Sequence, residues 1–181
     1  MTTLNINLTD KDHAYGSNTA TLELVEYGDY ECPYCGQAYP FVKNIQEKLG
    51  DEMIFVFRNF PWSNIHPHAF AAAVATEAAA LQNKFWEMHD IIFENQQTLS
   101  DKNILWFAQH IGLDAERFKE DIQRSELAEK VKKDFESGIR LGVNRTPTFF
   151  VNGKRYEGHL HEEQLFQFLE DQLKIASTSL G

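Results

Sequence analysis

Hydrophobic and polar positions in the first third of the chain follow the periods of a strand, a helix and a second strand. Residues 21–27, TLELVEY, alternate apolar and polar side chains and are rich in residues that favour strands. Residues 53–60, MIFVFRNF, form a nearly continuous apolar run, as expected of a strand covered on both faces. Between them, apolar residues recur at helical spacing and end before Gly50: Ala38, Phe41, Val42, Ile45 and Leu49. This order predicts a β-α-β unit.

The middle of the chain changes to helical periodicity. Six apolar residues fall along one face and predict one long helix: Phe70, Val74, Leu81, Phe85, Met88 and Ile92. Ser100 and Asp114 are of the types that cap helix N-termini, so we expect two shorter helices to begin there. Leu127, Val131 and Phe135 continue the pattern into a further helix. We therefore predict a helical insertion over about residues 66–138.

Strand signals return near the end of the chain. In residues 146–158, TPTFFVNGKRYEG, an apolar run precedes Asn152-Gly153 and a second short run follows, which predicts a β-hairpin. A final amphipathic helix carries four apolar residues on one face: Leu165, Phe168, Leu169 and Leu173. The order is β-α-β, helical insertion, β-β-α, and we expect residues 1–181 to form a single α/β domain.

Composition and charge narrow the class of protein. The chain has 17 basic against 27 acidic residues, a formal charge of −10, and no cluster of Lys and Arg, so we expect no nucleic-acid partner. No apolar run approaches the roughly 18 residues of a membrane helix, so we expect no membrane association. The first sixteen residues lack the basic start and apolar stretch of a secretory leader, which predicts a cytoplasmic protein, although a mature form whose leader had been removed would look similar. Nothing in the pattern requires a dimer, and we expect a monomer.

The chain has two cysteines, Cys32 and Cys35, separated by Pro33 and Tyr34 at the predicted start of the first helix. Unpaired N–H groups and the helix dipole favour a thiolate at that position. Cysteines so placed have pKa values lowered to roughly 3.5–7.5. We therefore expect Cys32 to be the nucleophile. Cys35 would be the resolving thiol, which closes a disulfide after Cys32 has formed a mixed disulfide with a substrate.

Other interpretations of this cysteine pair stay open. Two cysteines in a chain of this size can be ordinary buried side chains, or a vestigial redox motif. A zinc site needs four ligands, and no second cysteine or histidine pair follows at a suitable spacing, which leaves half of a metal site shared between two chains. The strand before the motif, the proline at the helix start and the surrounding β-α-β unit favour a redox centre. We expect no metal and no cofactor in the chain itself.

Three segments together resemble the DsbA-like branch of the thioredoxin superfamily: LVEYGDYECPYC, HPHAFAAAVATEAAALQNKFWEMHDIIF and GVNRTPTFFVNG. They cover about residues 12–175 in the order found in that family. The resemblance implies a thioredoxin-like α/β fold (β-α-β … β-β-α) with an inserted all-helical subdomain. It also implies a thiol:disulfide oxidoreductase that acts on protein dithiols and disulfides.

Two further positions take their expected role from the resemblance. Pro147, preceded by Thr146, matches the family's cis-proline, whose loop lies beside the cysteine pair and contacts an extended substrate. Thr146 and Pro147 are therefore expected to bind substrate.

Glu26, six positions before Cys32, matches a buried acid found below the active site in many thioredoxin-like proteins. Such a carboxyl could accept or return the proton of Cys35, which would require its pKa to be raised by burial. Because Glu23 and Glu26 face opposite sides of the strand, only one of them can point inward.

The residues between the cysteines bear on redox tuning. Tyr34 stands where strongly oxidising periplasmic members have histidine, and Thr146 stands where they tend to have valine. Pro33 and Tyr34 are expected to tune the active site, and the direction of electron flow stays open.

Pro-Tyr is also the glutaredoxin dipeptide, so a glutathione-linked activity of glutaredoxin type or kappa-transferase type is an alternative, although glutaredoxins are shorter and lack the helical insertion. Glutathione or a thioredoxin-type reductant would then be a partner beside the protein substrates.

Overall fold

The computed structural model describes residues 8–178, with side chains of the last helix described as far as residue 176. The described part contains five strands and seven α-helices: β1 His13–Gly16, β2 Leu22–Gly28, α1 Pro33–Leu49, β3 Met53–Asn59, α2 Ala69–Ala80, α3 Phe85–Glu94, α4 Asp101–His110, α5 Ala115–Asp121, α6 Ser125–Arg140, β4 Thr148–Val151, β5 Lys154–Arg155 and α7 Glu162–Thr178. Residues 1–7 and 179–181 lie outside the described residues. The expectation of no secretory leader depends partly on the first of these segments, and the predicted 1–181 domain includes both.

The chain divides into two compact units, of which the first comprises residues 8–27, 37–58 and 147–178. Its sheet has the strand order β1-β3-β2-β4-β5. The pairs β1–β3, β2–β4 and β4–β5 are antiparallel, and α1 joins the neighbouring strands β2 and β3, as the predicted β-α-β unit requires. β1 was not predicted, because three of its four residues are exposed and it has no apolar pattern to reveal it.

The central strands are more deeply buried than the sequence pattern of β2 indicated. In both β2 and β3, six of the seven residues are buried, so the alternation over residues 21–27 does not mark a solvent-facing side. The polar side chains among them are hydrogen-bonded: Arg58 donates to the Asp12 carboxylate at 2.7 and 2.9 Å and to the Tyr27 hydroxyl at 2.9 Å. Burial alone would lower the pKa of Arg58, but these two partners outweigh it and raise the pKa.

The predicted hairpin is present between β4 and β5. Asn152 and Gly153 have φ values of 46° and 77°, the positive angles that a two-residue hairpin turn requires. The Asn152 side chain also accepts the Glu23 backbone N–H at 2.8 Å, and its own N–H donates to the Glu23 carbonyl at 3.0 Å. The turn residues therefore fix the hairpin to β2 as well as joining its strands.

The second unit comprises residues 28–36 and 59–146 and contains α2 to α6. α2 lies at its centre and contacts each of the other four helices. The prediction of one long helix through residues 70–92 was wrong, because α2 ends at Ala80 and α3 begins at Phe85. Asn83 adopts φ 58° in the intervening turn, and the Lys84 N–H bonds back to the Ala79 carbonyl at 2.9 Å. α2 is also buried on all sides, so no single apolar face marks its path.

Both predicted helix caps are confirmed. The Ser100 hydroxyl accepts the Asn103 N–H at 3.3 Å at the start of α4, and the Asp114 carboxylate accepts the Arg117 N–H at 3.0 Å at the start of α5. Each bond satisfies a backbone donor that the first helical turn leaves without a partner.

A buried charged cluster joins β3, α2 and α6. Asp134 accepts the Asn59 backbone N–H at 3.2 Å and two bonds from the Lys130 ammonium at 2.8 and 2.9 Å. The same ammonium lies 3.5 Å from the Glu77 carboxylate. Burial raises the pKa of Asp134, and Lys130 opposes that rise. These charges are paired, which is how a helical unit tolerates them in its interior.

Candidate active site

The cysteine pair lies at the start of α1, as the sequence predicts. The helix begins at Pro33, and the Cys32 carbonyl accepts the first intrahelical bond from the Gly36 N–H at 3.1 Å. Cys32 is therefore the N-cap residue, and proline follows at the position where a missing N–H costs nothing. Both cysteines are reduced thiols, Cys32 5% and Cys35 0% exposed.

The surroundings of Cys32 lower the pKa of its thiol to about 5. The largest cause is a hydrogen bond from the Cys35 thiol, and burial acts against it. A hydrogen bond from the Thr146 side chain and the backbone N–H groups of Cys35 and Tyr34 lower the pKa further. A pKa of about 5 leaves about 99% of Cys32 as thiolate near pH 7, against about 1% for a thiol of pKa 9.0.

Thr146 meets the Cys32 sulfur from 114 residues further along the chain. The sulfur lies 3.4 Å from the Thr146 carbonyl oxygen, which accepts the hydrogen of the thiol. Once the thiol has ionised, the carbonyl can no longer accept, and the Thr146 hydroxyl is the group that stabilises the thiolate. Thr146 is buried and directly precedes Pro147, which is half-buried and leads into β4. The structure thus brings Thr146 to the Cys32 sulfur.

Asp29 contacts both cysteines, which the sequence did not reveal. Its backbone N–H donates to the Cys35 sulfur at 3.4 Å, and its carbonyl accepts the Cys32 N–H at 3.1 Å. Its buried carboxylate accepts the Trp62 N–H at 2.8 Å and lies 2.7 Å from Nδ1 of His66. The available signal was an aspartate in the short segment between the end of a strand and a helix N-cap.

Gln96 also holds the segment before α1. Its side-chain amide donates to the carbonyl oxygens of Tyr30 and Cys32, both at 2.9 Å. A Cβ atom at Gly36 would overlap this amide, so a larger residue there would displace the Gln96 side chain. No motif in the sequence points to Gln96, because its role depends on a contact across more than sixty residues.

Three further predicted site residues are Glu26, Pro33 and Tyr34, of which Tyr34 offers its backbone N–H to Cys32. Glu26 belongs to the first unit, is 3% exposed and pairs with Phe149 in the β2–β4 register. Glu23 is only partly buried, so Glu26 is the member of the pair that points inward. Pro33 and Tyr34 are both exposed, Tyr34 to 62%.

Metal-ion clusters and membrane-spanning helices are both absent from the described residues. Among residues 8–178, no group of three or more His, Cys, Asp or Glu side chains is arranged to hold a metal ion. Within that same stretch, no helix has both the length and the apolar character needed to cross a membrane.

Comparison with known proteins assigns the chain to a family. Residues 8–171 match the sequence profile of the Thioredoxin family. A thioredoxin-like oxidoreductase from Silicibacter pomeroyi DSS-3 is 25% identical, with a TM-score of 0.79 over 92% of this chain and 94% of that chain. Oxidised BdbD from Bacillus subtilis is 25% identical, with a TM-score of 0.79 over 91% of this chain and 94% of that chain. Wolbachia pipientis alpha-DsbA1, 19% identical, shares the fold with a TM-score of 0.84 over 96% of each chain.

The protein is thus a thioredoxin-like α/β protein with a dithiol at a helix N-terminus. It belongs to the thioredoxin family, and its fold is DsbA-like, as the sequence resemblance implied. The predicted fold class is confirmed.

Curated relatives with higher sequence identity are much longer proteins. The Na(+)/H(+) antiporter NhaA 1 of Mycobacterium sp. strain KMS is 41% identical over 163 residues, which are 89% of this chain and 27% of that protein. The Na(+)/H(+) antiporter NhaA 3 of Salinispora tropica is 42% identical over 158 residues, 86% of this chain and 24% of that protein. The chain spans about a quarter of the length of these relatives. Their similarity to this chain concerns one segment of each.

Proposed function

We propose that the chain is a thiol:disulfide oxidoreductase that acts on protein dithiols and disulfides through Cys32 and Cys35. The observation that carries the proposal is the state of Cys32: an N-cap sulfur with a pKa of about 5, hydrogen-bonded by the thiol of Cys35. A thiolate is the attacking species in disulfide exchange, and a stabilised thiolate is also a good leaving group. The thioredoxin-like oxidoreductase from Silicibacter pomeroyi DSS-3, which shares the fold over more than nine-tenths of this chain, supports an oxidoreductase activity.

The proposed reaction has two exchange steps. The Cys32 thiolate attacks one sulfur of a substrate disulfide, the substrate S–S bond breaks, and the second substrate sulfur leaves as a thiolate that takes up a proton. Cys35, having lost its proton, then attacks Cys32 in the mixed disulfide and releases the first substrate sulfur. The result is a Cys32–Cys35 disulfide and a substrate reduced by two electrons. The reverse sequence oxidises a substrate dithiol.

The stabilised thiolate favours the oxidising direction. Stabilising Cys32 as a thiolate stabilises the reduced pair and so raises its potential. Thioredoxin has a pKa of about 7 and a potential of about −270 mV, and DsbA has a pKa of about 3.5 and a potential of about −120 mV. The pKa of Cys32, about 5, lies between these two values, so we expect a potential between about −270 and −120 mV. We therefore propose that the pair accepts electrons from protein thiols more readily than thioredoxin does.

Supporting roles are proposed for the other predicted residues. Thr146 and Pro147, the latter in a cis peptide bond, would offer backbone groups to an extended substrate chain. The exposed Tyr34 ring, with Pro33, would border the approach to Cys32 and tune the pair. We propose that residues 1–181 act as one thioredoxin-like domain whose helical insertion runs over about residues 66–138.

Trapping of the first intermediate tests the proposal. A Cys35→Ser variant mixed with a disulfide-containing protein is expected to accumulate a mixed disulfide of summed mass on non-reducing gels, because Cys32 attacks and nothing resolves the product. Cys32→Ser is the matched control and should trap nothing. Equal trapping by both variants, or none by either, would contradict the assignment of Cys32. Higher turnover in a glutathione-coupled assay than on a protein disulfide would favour the glutathione-linked alternative.

The proton role of Glu26 has a matched pair of variants on the same strand. Glu26→Gln removes a buried carboxyl, whereas Glu23→Gln changes a carboxyl that is only partly buried. If Glu26 moves the proton of Cys35, its variant should slow turnover about ten- to a hundredfold, in the lower part of the range for acid–base catalysis. Glu23→Gln should stay within about twofold of the unsubstituted protein. Equal rates for the two variants would remove Glu26 from the mechanism.

Partners and location remain predictions with simple tests. A thioredoxin-type protein or glutathione is the expected redox partner, and each can be supplied alone in a turnover assay. Sedimentation tests the expected monomer, and fractionation of cells that produce the chain tests the expected cytoplasmic location.

A further inference from the structure

We propose that Asp29, held in place by His66, is a positioning residue for the resolving step, in which Cys35 attacks the mixed disulfide. The inference deepens the proposed function and rests on it. It assigns a role to two residues outside the Cys-Pro-Tyr-Cys motif that the reaction scheme above does not use.

The backbone of Asp29 connects the two cysteines. Its N–H donates to the Cys35 sulfur at 3.4 Å, and its carbonyl accepts the Cys32 N–H at 3.1 Å. A backbone N–H stabilises a thiolate more than a thiol, because a hydrogen bond to an ionised acceptor is the stronger one. This donor is therefore placed to favour Cys35 in its attacking form.

The side chain of Asp29 fixes the position of its own backbone through contacts with other residues. The carboxylate is 0% exposed. One oxygen accepts the Glu31 N–H at 2.8 Å; the other accepts the Trp62 N–H at 2.8 Å and lies 2.7 Å from Nδ1 of His66. Trp62 and His66 come from a segment more than thirty residues away, so the direction of the Asp29 N–H is set by tertiary contacts as well as by the local turn.

A buried carboxylate with every contact to a donor is costly to disturb. Removing one of its three partners leaves the desolvated charge with fewer donors, and the segment can replace the lost bond only by moving. A shift of Asp29 would carry its N–H away from Cys35. His66 acts on Cys35 indirectly, because its ring contacts the Asp29 carboxylate and, in the described contacts, does not touch either sulfur.

The step concerned is balanced without a further reactant. The Cys35 thiolate attacks the Cys32 sulfur, an S–S bond forms between them, and the bond from Cys32 to the substrate sulfur breaks. The bonding electron pair leaves with that sulfur, which takes a proton from water. Asp29 affects the rate at which this happens and leaves the first attack by Cys32 largely unchanged.

A two-phase assay separates this inference from the proposed function. Reduced protein is mixed with 5,5′-dithiobis(2-nitrobenzoate), and release of the coloured thiolate is followed by stopped flow. The first equivalent reports attack by Cys32, and the second reports resolution by Cys35. An unsubstituted protein that released no first equivalent would overturn the proposed function itself.

The informative variants change the Asp29 carboxylate or its histidine partner. Asp29→Asn and His66→Leu are expected to slow the second phase about three- to tenfold, the range that corresponds to one hydrogen bond, and to move its pH profile to higher pH. The first phase should stay within about twofold. His66→Asn keeps a donor near the position of Nδ1 and is expected to restore the second phase. Asp134→Asn is the control for loss of a buried aspartate and should leave both phases unchanged.

A second phase of Asp29→Asn as fast as that of the unsubstituted protein, with the same pH profile, would overturn the inference. If Asp29→Asn does not fold, the comparison of His66→Leu with His66→Asn tests the inference instead. Equal second-phase rates in these two variants would overturn the inference. A second phase slowed equally by Asp134→Asn would reduce Asp29 to a merely structural role.

Discussion

The Cys35 thiol makes the largest contribution to the low pKa of Cys32, and replacing it tests the electrostatics of the site. We predict that Cys35→Ala raises the pKa of Cys32, because the thiolate loses its main hydrogen-bond donor. Cys35→Ser is the matched control, since a hydroxyl keeps a donor at the same place. Both variants lack the resolving thiol, so disulfide formation within the pair cannot complicate the comparison.

The size of the effect follows from the strength of one hydrogen bond to a charged group. Such a bond contributes about 1.5–3 kcal/mol, and one pKa unit corresponds to about 1.4 kcal/mol. Loss of the bond therefore raises the pKa of Cys32 from about 5 to about 6–7. Near pH 7 the thiolate fraction falls from about 99% to about 50–90%. Water that enters the space left by Cys35 stabilises the thiolate and makes this an upper bound.

Thiolate absorbance near 240 nm, followed as the pH is raised from about 3 to 9, gives the pKa of Cys32 in each variant. The alanine variant should titrate about one unit or more above the serine variant. Equal values for the two would refute the conclusion that a donor at position 35 sets the pKa. A value near 5 in the alanine variant would assign the shift to the helix N-terminus and Thr146 alone.

Two further predictions concern the same sulfur. Thr146→Val removes the hydroxyl and keeps the shape of the side chain, so the pKa of Cys32 should rise by less than in Cys35→Ala, by about half a unit to one unit; an unchanged titration would exclude the hydroxyl. The second concerns stability. The pKa of Cys32 is lower in the folded than in the unfolded protein, so between about pH 5 and 9 the unfolded chain binds more protons and the reduced protein gains stability as pH rises, by at most about 1.4 kcal/mol per pH unit. Urea unfolding should show this slope relative to Cys32→Ala, and parallel pH dependences would contradict it.

The start of α1 could be predicted because its determinants are local. A proline followed by apolar residues at helical spacing fixes the first turn at Pro33 and places Cys32 at the N-cap. The hairpin is predictable for the same reason, since Asn152 and Gly153 supply the positive φ angles within two residues. Ser100 and Asp114 mark helix starts through bonds that span only three residues.

The features that escaped prediction depend on tertiary packing. The break between α2 and α3 is hidden because the alanine-rich helix is buried on all sides, so the apolar pattern continues across the turn. β1 is largely exposed and owes its place to pairing with β3.

Within the site, the contacts of Asp29 with His66 and of Gln96 with Cys32 join residues 37 and 64 positions apart. The position of Thr146 could be anticipated only through resemblance to a family. The role of its neighbour Pro147 was also predicted only from that resemblance, because no local pattern connects residues 146 and 147 with the cysteines.

The central claim is that Cys32 and Cys35 form a reversible redox pair with a stabilised thiolate. The most direct test is the equilibrium of their disulfide against a graded glutathione buffer, read from the fraction of protein that resists alkylation. We predict a two-electron transition with a midpoint between about −270 and −120 mV. No disulfide at any glutathione ratio would contradict the redox assignment, and a midpoint at or below about −270 mV would contradict the proposed oxidising direction.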